Sequence, residues 1–279
     1  MRNTKAKRIL IVCLLYFGSI FVASLIVLPL VWMLVTSFKP SYEILSYPPS
    51  SIPKDITLSN YVNLFRETDF LIYLANSFFV SIVVVVTTNI VAIMGAYSLT
   101  KYLWFKREKF ASLTLYSYMW APIMIAIPLY ILFSYVGMTD TRIGLIIAHA
   151  AFCFPFALWL LLSFFKEIPE DFEEAAMLDG ANFLQRLFLV FLPSSLPGII
   201  ATSTFVFILS WNDYIFARIL ISSDSRMTIP VGIQNIYESS VTDWGMLMAA
   251  GVITTFPILI AFIFVQKFLL EGLREALWG

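Results

Sequence analysis

Six apolar runs, each long enough to cross a bilayer, limit what this chain can become. They cover about Ile9–Val35, Tyr73–Thr100, Phe110–Val136, Ile143–Phe165, Gly198–Ile221 and Gly245–Phe268. A helix needs about 20 residues to cross the hydrocarbon core. In lipid the backbone must satisfy its own N–H and C=O groups, so an open strand is excluded and the runs predict helices. That holds even for the second run, despite its Val and Ile. Composition agrees, with 60% of the 279 residues hydrophobic and 13% charged. Soluble domains have nearly half apolar and about a quarter charged.

The expected fold is an all-α membrane protein with six transmembrane helices. Residues 1–37 form an N-terminal segment and the first span. Residues 38–72 form an extracytoplasmic loop, punctuated by Pro48, Pro49 and Pro53. Residues 73–279 carry five further spans. Arg2, Lys5, Lys7 and Arg8 precede the first run, which is too long for a secretory leader and lacks a small-residue cleavage site. Pro122, Pro128, Pro155 and Pro257 lie inside runs, where neighbours can satisfy the freed carbonyls of a kink.

An even number of spans places both termini on one side. Twelve Lys and Arg fall on that side and six on the other. The excess predicts cytoplasmic termini, together with a cytoplasmic loop 166–196 between spans four and five.

That loop carries the densest pattern in the chain. Glu170, Asp171, Glu173 and Glu174 crowd one helix start, where the dipole favours anions. Pro169 suits the first turn. Ala175 and Ala176 let another surface approach the backbone. Asp179-Gly180 is a turn, and Gly180 can take the left-handed geometry that ends a helix. Phe183, Leu184, Leu187, Phe188 and Phe191 mark a second helix, closed by Leu192-Pro193. As structure alone, this is an acidic surface helix followed by one hugging the membrane.

The spacing of Glu174-Ala175-Ala176, Gly180, Val190 and Leu192-Pro193 resembles the EAA loop of importer-type ABC transporter permeases. Ile is usual where Val190 stands. Ser210-Trp211-Asn212-Asp213-Tyr214, Ile127-Pro-Leu-Tyr130, Gly95-Ala-Tyr97 and Trp244–Ala250 resemble the carbohydrate branch. The nearest type is the second, shorter permease subunit of maltose-like sugar importers. The tail departs from it, with Trp278 where a basic residue is usual.

The resemblance implies that Glu174, Ala175, Ala176, Asp179, Gly180, Leu192 and Pro193 couple to an ATPase. It implies a second permease subunit as a heterodimer partner, two ATPase subunits, and an extracytoplasmic solute-binding protein. The cargo is a sugar, an oligosaccharide or disaccharide, with polyols and glycerol phosphate as neighbouring possibilities. The setting is the cell membrane of a prokaryote, multi-pass. The chain itself needs no cofactor; ATP and Mg belong to the ATPase partners.

A saccharide path needs hydroxyls, amides and aromatic faces. Asn89, Tyr116, Thr204, Asn212, Asp213 and Thr254 are the candidates. Small polar residues also bond helix to helix in membranes, and both readings stay open. Asp213 is the one acidic residue well inside a run, where a charge is costly and tends to face protein or water. It either faces the path or sits at the interface after Trp211. His149, the single histidine, reads as packed core.

Other classes are excluded or weak. No Gly-Lys dipeptide occurs, so no Walker-type phosphate loop exists. The pattern His-Glu-x-x-His is absent, and Cys13 and Cys153 have no metal spacing. Basic residues are spread among loops, with no nucleic-acid stripe. The alternative is a gradient-driven secondary transporter or channel, for which only Asp213 offers an ion site.

Overall fold

The computed structural model describes residues 2–48, 50–101, 107–238 and 243–278. In chain order the helices are α1 (Arg2–Ser37), α2 (Ser41–Ile44), α3 (Ser59–Glu67), α4 (Phe70–Lys101), α5 (Arg107–Tyr118), α6 (Pro122–Tyr135) and α7 (Arg142–Lys166). There follow α8 (Glu170–Leu178), α9 (Phe183–Arg186), a π turn (Leu187–Phe191), α10 (Leu192–Ser194), α11 (Leu196–Trp211) and α12 (Ile215–Leu220). A 3-10 turn (Asp224–Arg226), α13 (Ile229–Glu238) and α14 (Trp244–Trp278) complete the order. No strand occurs among the described residues.

Ile11–Ser37, Phe70–Lys101, Arg142–Lys166 and Trp244–Gln266 are long and apolar enough to cross a membrane. Two bent pairs raise that number to six if each counts as one span. The third apolar run is one of them. It is not a single kinked helix, because Ser112–Tyr118 meets Pro122–Tyr135 at 89°. Pro122 lacks an N–H and disfavours helical geometry at Ala121, whose ψ is 135°. The other pair is Phe183–Ser194 with Leu196–Trp211, bent by 79°.

The chain divides into two compact units. The first comprises Met1–Thr68 and Ile236–Thr255. Ile11–Ser37 buries none of its most apolar window within the chain, as expected for a helix whose solvent is lipid. The loop after it is built, not slack. Asn60 donates to the carbonyls of Ser37 and Lys39, both at 2.8 Å. Glu43 accepts from the Ser50 hydroxyl and the Lys54 N–H. Those hydrogen bonds, the Ser50 one first, hold its carboxyl below the usual range.

The second unit comprises Asp69–Asn235 and Phe256–Gly279. Its core is α4 against α7 and α11. On α4 the buried stripe Ser77, Val80, Ser81, Val84, Thr88 recurs at three to four residues. On α7 Leu145, Ala148, Ala157, Leu158, Leu161 and Phe165 are buried at helical spacing. Gly198 lets α11 close on α7, since a Cβ there would lie 2.4 Å from the Phe164 ring.

One end of this unit is tied by a loop network. Asn76 on α4 donates to the carbonyls of Ser225 and Met227. Asp140, in the turn before α7, accepts from the N–H groups of Ser222 and Ser223, the Ser223 hydroxyl and Arg226. The Ser223 hydroxyl contributes most to lowering the Asp140 pKa from 3.8 to about 2. A depressed folded-state pKa stabilises above the unfolded value, and that stabilisation is lost as pH falls through the folded one. The tie should therefore weaken between pH 3.8 and about 2. Thermal unfolding in detergent across that window should fall more steeply for the parent than for Asp140→Asn. Parallel curves would show that the tie contributes nothing.

Candidate functional site

The loop after α7 folds as two helices with a turn between them. Pro169 is the cap of α8, with extended ψ of 137°, one position before the first helical turn. Three acids, Glu170, Asp171 and Glu173, occupy that turn, where the backbone N–H groups lack carbonyl partners. The helix ends in a Schellman arrangement. Ala181 N–H donates to the Ala176 carbonyl at 2.9 Å, and Gly180 N–H to the Met177 carbonyl at 3.0 Å. Gly180 takes φ +81°, as a residue without Cβ can. Asn182 then opens α9 with a reciprocal capping box to Gln185, at 2.9 and 2.8 Å. The Asn-x-x-Gln spacing, which sequence reasoning missed, is a signal that could have located this helix start.

The widened π turn follows, just before Pro193. Proline at that position cannot donate to the carbonyl four residues back and clashes with it. An extra residue in the turn relieves the conflict. Phe191 at its end is buried between Tyr97 and Phe165, with ring centroids at 4.7 and 5.5 Å.

These bonds fix which side of α8 faces out. Glu174, Ala175, Asp179 and Gly180 are exposed, and Ala176 is half-buried. Phe172 and Leu178, flanking Ala175 on one face, are apolar yet exposed by 60% and 89%, while Met177 stands one turn on from Glu173. Such a patch with a charged rim marks a contact surface. Leu192 is half-buried and Pro193 exposed on α10. Glu173 alone among the acids turns inward, 5% exposed. It pairs with Lys101 at the end of α4, and with Arg186 at 3.2 Å.

Each candidate path residue has its own surroundings. Asn89 is buried and donates to the Val85 carbonyl at 2.8 Å and the Ser203 hydroxyl at 3.2 Å, bridging α4 to α11. Among the described residues its buried side-chain oxygen has no hydrogen-bond partner. Tyr116 is 64% exposed on α5. Thr204 is half-buried on α11. Thr254, in the first unit, donates back to the Ala250 carbonyl at 2.7 Å. Asn212 is exposed and donates to the Ile208 carbonyl.

Asp213 has the most specific surroundings. Helix α11 stops at Trp211 and α12 restarts at Ile215. In the break, Asp213 accepts from Ala217 N–H at 3.0 Å, capping α12. It also accepts from Phe216 N–H at 3.5 Å and meets His149 Nε2 at 2.9 Å, while His149 Nδ1 meets the Ser210 hydroxyl at 2.9 Å. When Nε2 donates to the carboxylate, Nδ1 of a neutral ring accepts a hydrogen bond from the Ser210 hydroxyl. His149 is 2% exposed, buried as its apolar neighbours suggested, with both nitrogens engaged. Its partner lies 64 residues on, a pairing the sequence did not reveal. Among the described residues no group of three His, Cys, Asp or Glu could hold a metal.

Residues 7–275 match the family described as binding-protein-dependent transport system inner membrane component. The inner membrane ABC transporter permease protein YcjP of Escherichia coli is 36% identical over 261 residues, covering 92% of this chain and 93% of that protein. The trehalose/maltose transport system permease protein MalG of Thermococcus litoralis is 32% identical over 278 residues, covering 98% and 97%. A solved bacterial ABC transporter involved in importing the acidic polysaccharide alginate has a chain of similar fold. Its TM-score is 0.80 at 25% identity, over 94% of this chain and 97% of that one.

Proposed function

This chain belongs to the family of binding-protein-dependent transport system inner-membrane components, and from that premise we propose that it is one permease subunit of an ATP-driven sugar importer. It is a multi-pass permease of the ABC type. In the proposed assembly it has six spans and cytoplasmic termini, and each bent pair completes one span. A second permease subunit pairs with it, two ATPase subunits sit on the cytoplasmic side, and an extracytoplasmic binding protein delivers an oligosaccharide or disaccharide. ATP and Mg are used by the ATPases. The relatives named for trehalose, maltose and diacetylchitobiose support the cargo class.

The observation that carries the reading is the outward face of α8. Phe172 and Leu178 stand exposed on either side of small Ala175 on a nine-residue helix otherwise rich in carboxylates. Burying an apolar side chain of this size contributes about 1.5–3 kcal/mol, so a partner that covers them gains a real anchor. ATP binding closes the ATPase pair, α8 rides with it, and the spans change access. A nucleotide can drive this only by binding the two states differently. Asn89, Tyr116, Thr204, Asn212, Asp213 and Thr254 remain the proposed path residues.

Tagged protein should co-purify with an ATPase from its own membranes. Vesicles containing the complex and its binding protein should take up labelled trehalose, maltose or diacetylchitobiose with ATP, and orthovanadate should stop it. Uptake that resists vanadate and collapses with an ionophore would overturn the proposal in favour of a gradient-driven transporter.

A further inference from the structure

Four carboxylates begin α8, and three of them are exposed. Glu173 is not, although burying a carboxylate is expensive unless it is paired and hydrogen-bonded. Its two oxygens are shared between cations from different elements. Oε2 pairs with Lys101 Nζ, the last residue of the 32-residue helix α4. Oε1 accepts from Arg186 Nη1, the last residue of α9, at 3.2 Å. Lys101 Nζ also lies 5.2 Å from the centroid of the Phe191 ring, the end of the π turn. One carboxylate thus joins α8, α4, α9 and, through Lys101, the π turn.

The packing around it leaves that link exposed to load. Beside it lies an open hollow of about 480 Å³, lined by Thr100, Lys101, Glu170, Glu173, Met177 and Arg186, with Glu174 at its edge. Dense apolar packing does not fill this side of α8. Deeper in, Tyr97 on α4 stacks edge-on to Phe183 and Phe191, at 4.8 and 4.7 Å, and so grips α9 and the π turn directly. On the hollow side α8 therefore relies on the ion pairs of Glu173 where α9 relies on rings.

We propose that Glu173 is a positioning residue that makes α8 move as one body with the end of α4. A displacement applied to the outer face of α8 then passes along a membrane helix and is not absorbed in the loop. This inference rests on the proposed docking of an ATPase at α8, but it assigns a separate role to a residue that faces away from that partner. The pairing also explains why Lys101 and Arg186 stay half-buried where both could extend into water.

The test needs no knowledge of the cargo. The complex with its ATPase subunits is purified with Cys13 and Cys153 replaced and a reporter cysteine placed at Tyr214, beside the α11–α12 break. The rate at which a cationic methanethiosulfonate modifies that cysteine is compared with and without vanadate-trapped nucleotide. In the parent, trapping should change the rate. Glu173→Gln should still retain the ATPase and trap nucleotide, yet lose about fivefold or more of that response, an ordinary size for coupling between sites. Reversing all three charges (Glu173→Lys, Lys101→Glu, Arg186→Glu) should restore most of it. Lys101→Gln and Arg186→Gln each keep one ion pair and should give intermediate responses if Glu173→Gln does not fold. A full response in Glu173→Gln, or in both single-cation variants, overturns the positioning role and leaves the docking reading intact. Failure of the parent itself to retain an ATPase overturns both.

Discussion

Gly180→Glu is expected to insert into the membrane at close to the normal level and to lose ATP-driven transport by on the order of tenfold or more, a coupling loss of about 1.4 kcal/mol or greater. The backbone supplies only part of this. Gly180 has φ +81°, and any L residue there costs about 1–2 kcal/mol. A Cβ at Gly180 would meet nothing within 4 Å, so no clash inside the chain adds to that cost. The rest comes from a long, negative side chain at the edge of the α8 face, beside exposed Leu178 and Asp179. Gly180→Asn separates the two causes, since Asn tolerates the left-handed region and adds no charge. It should keep most transport. Membrane abundance, ATPase retained on purification and vanadate-sensitive uptake measure the three quantities. Normal uptake with Gly180→Glu would remove α8 from the coupling path.

Local chemistry made much of this legible. The apolar runs announced the long helices because span length and backbone satisfaction are properties of a stretch, whatever packs on it. Gly180 marked a helix break because it relieves φ, whereas Pro193 lies inside a helical stretch that runs on to Ser194, with the widened turn just before it. The same signals underestimated Pro122, read as a kink inside one helix when it starts a second at 89° to the first. Glu173 was invisible for a different reason. It stands among Glu170, Asp171 and Glu174 with nothing local to distinguish it, and its burial is decided by Lys101 and Arg186, 72 and 13 residues away. His149 shows the limit most clearly. Flanking alanines predicted burial, and burial is found, but the carboxylate that uses its ring comes from the break between α11 and α12.

That pair sets the second large effect. His149 lies seven residues into α7, so a spanning α7 holds it roughly 10 Å from its Arg142 end. His149→Leu leaves the Asp213 carboxylate, 14% exposed, with the Ala217 and Phe216 N–H groups but without the ring. Losing a hydrogen bond to a charged group costs roughly 1.5–3 kcal/mol, whereas replacing both partners by apolar groups is often close to neutral. Thermal unfolding in detergent should therefore show His149→Leu well below the parent, and His149→Leu with Asp213→Leu above His149→Leu alone. The double variant should still trail the parent by about 1 kcal/mol, because the Ala217 N–H loses its cap. Equal losses in single and double variants would mean that no interaction couples the two side chains. Asp213→Asn keeps an acceptor for Ala217 and a polar face toward His149, and should cost about 1 kcal/mol. Transport then decides the role of the carboxylate. A changed rate or sugar preference in Asp213→Asn, at near-normal stability, places its charge on the path, while unchanged transport makes Asp213 a fastener that holds the broken helix to α7.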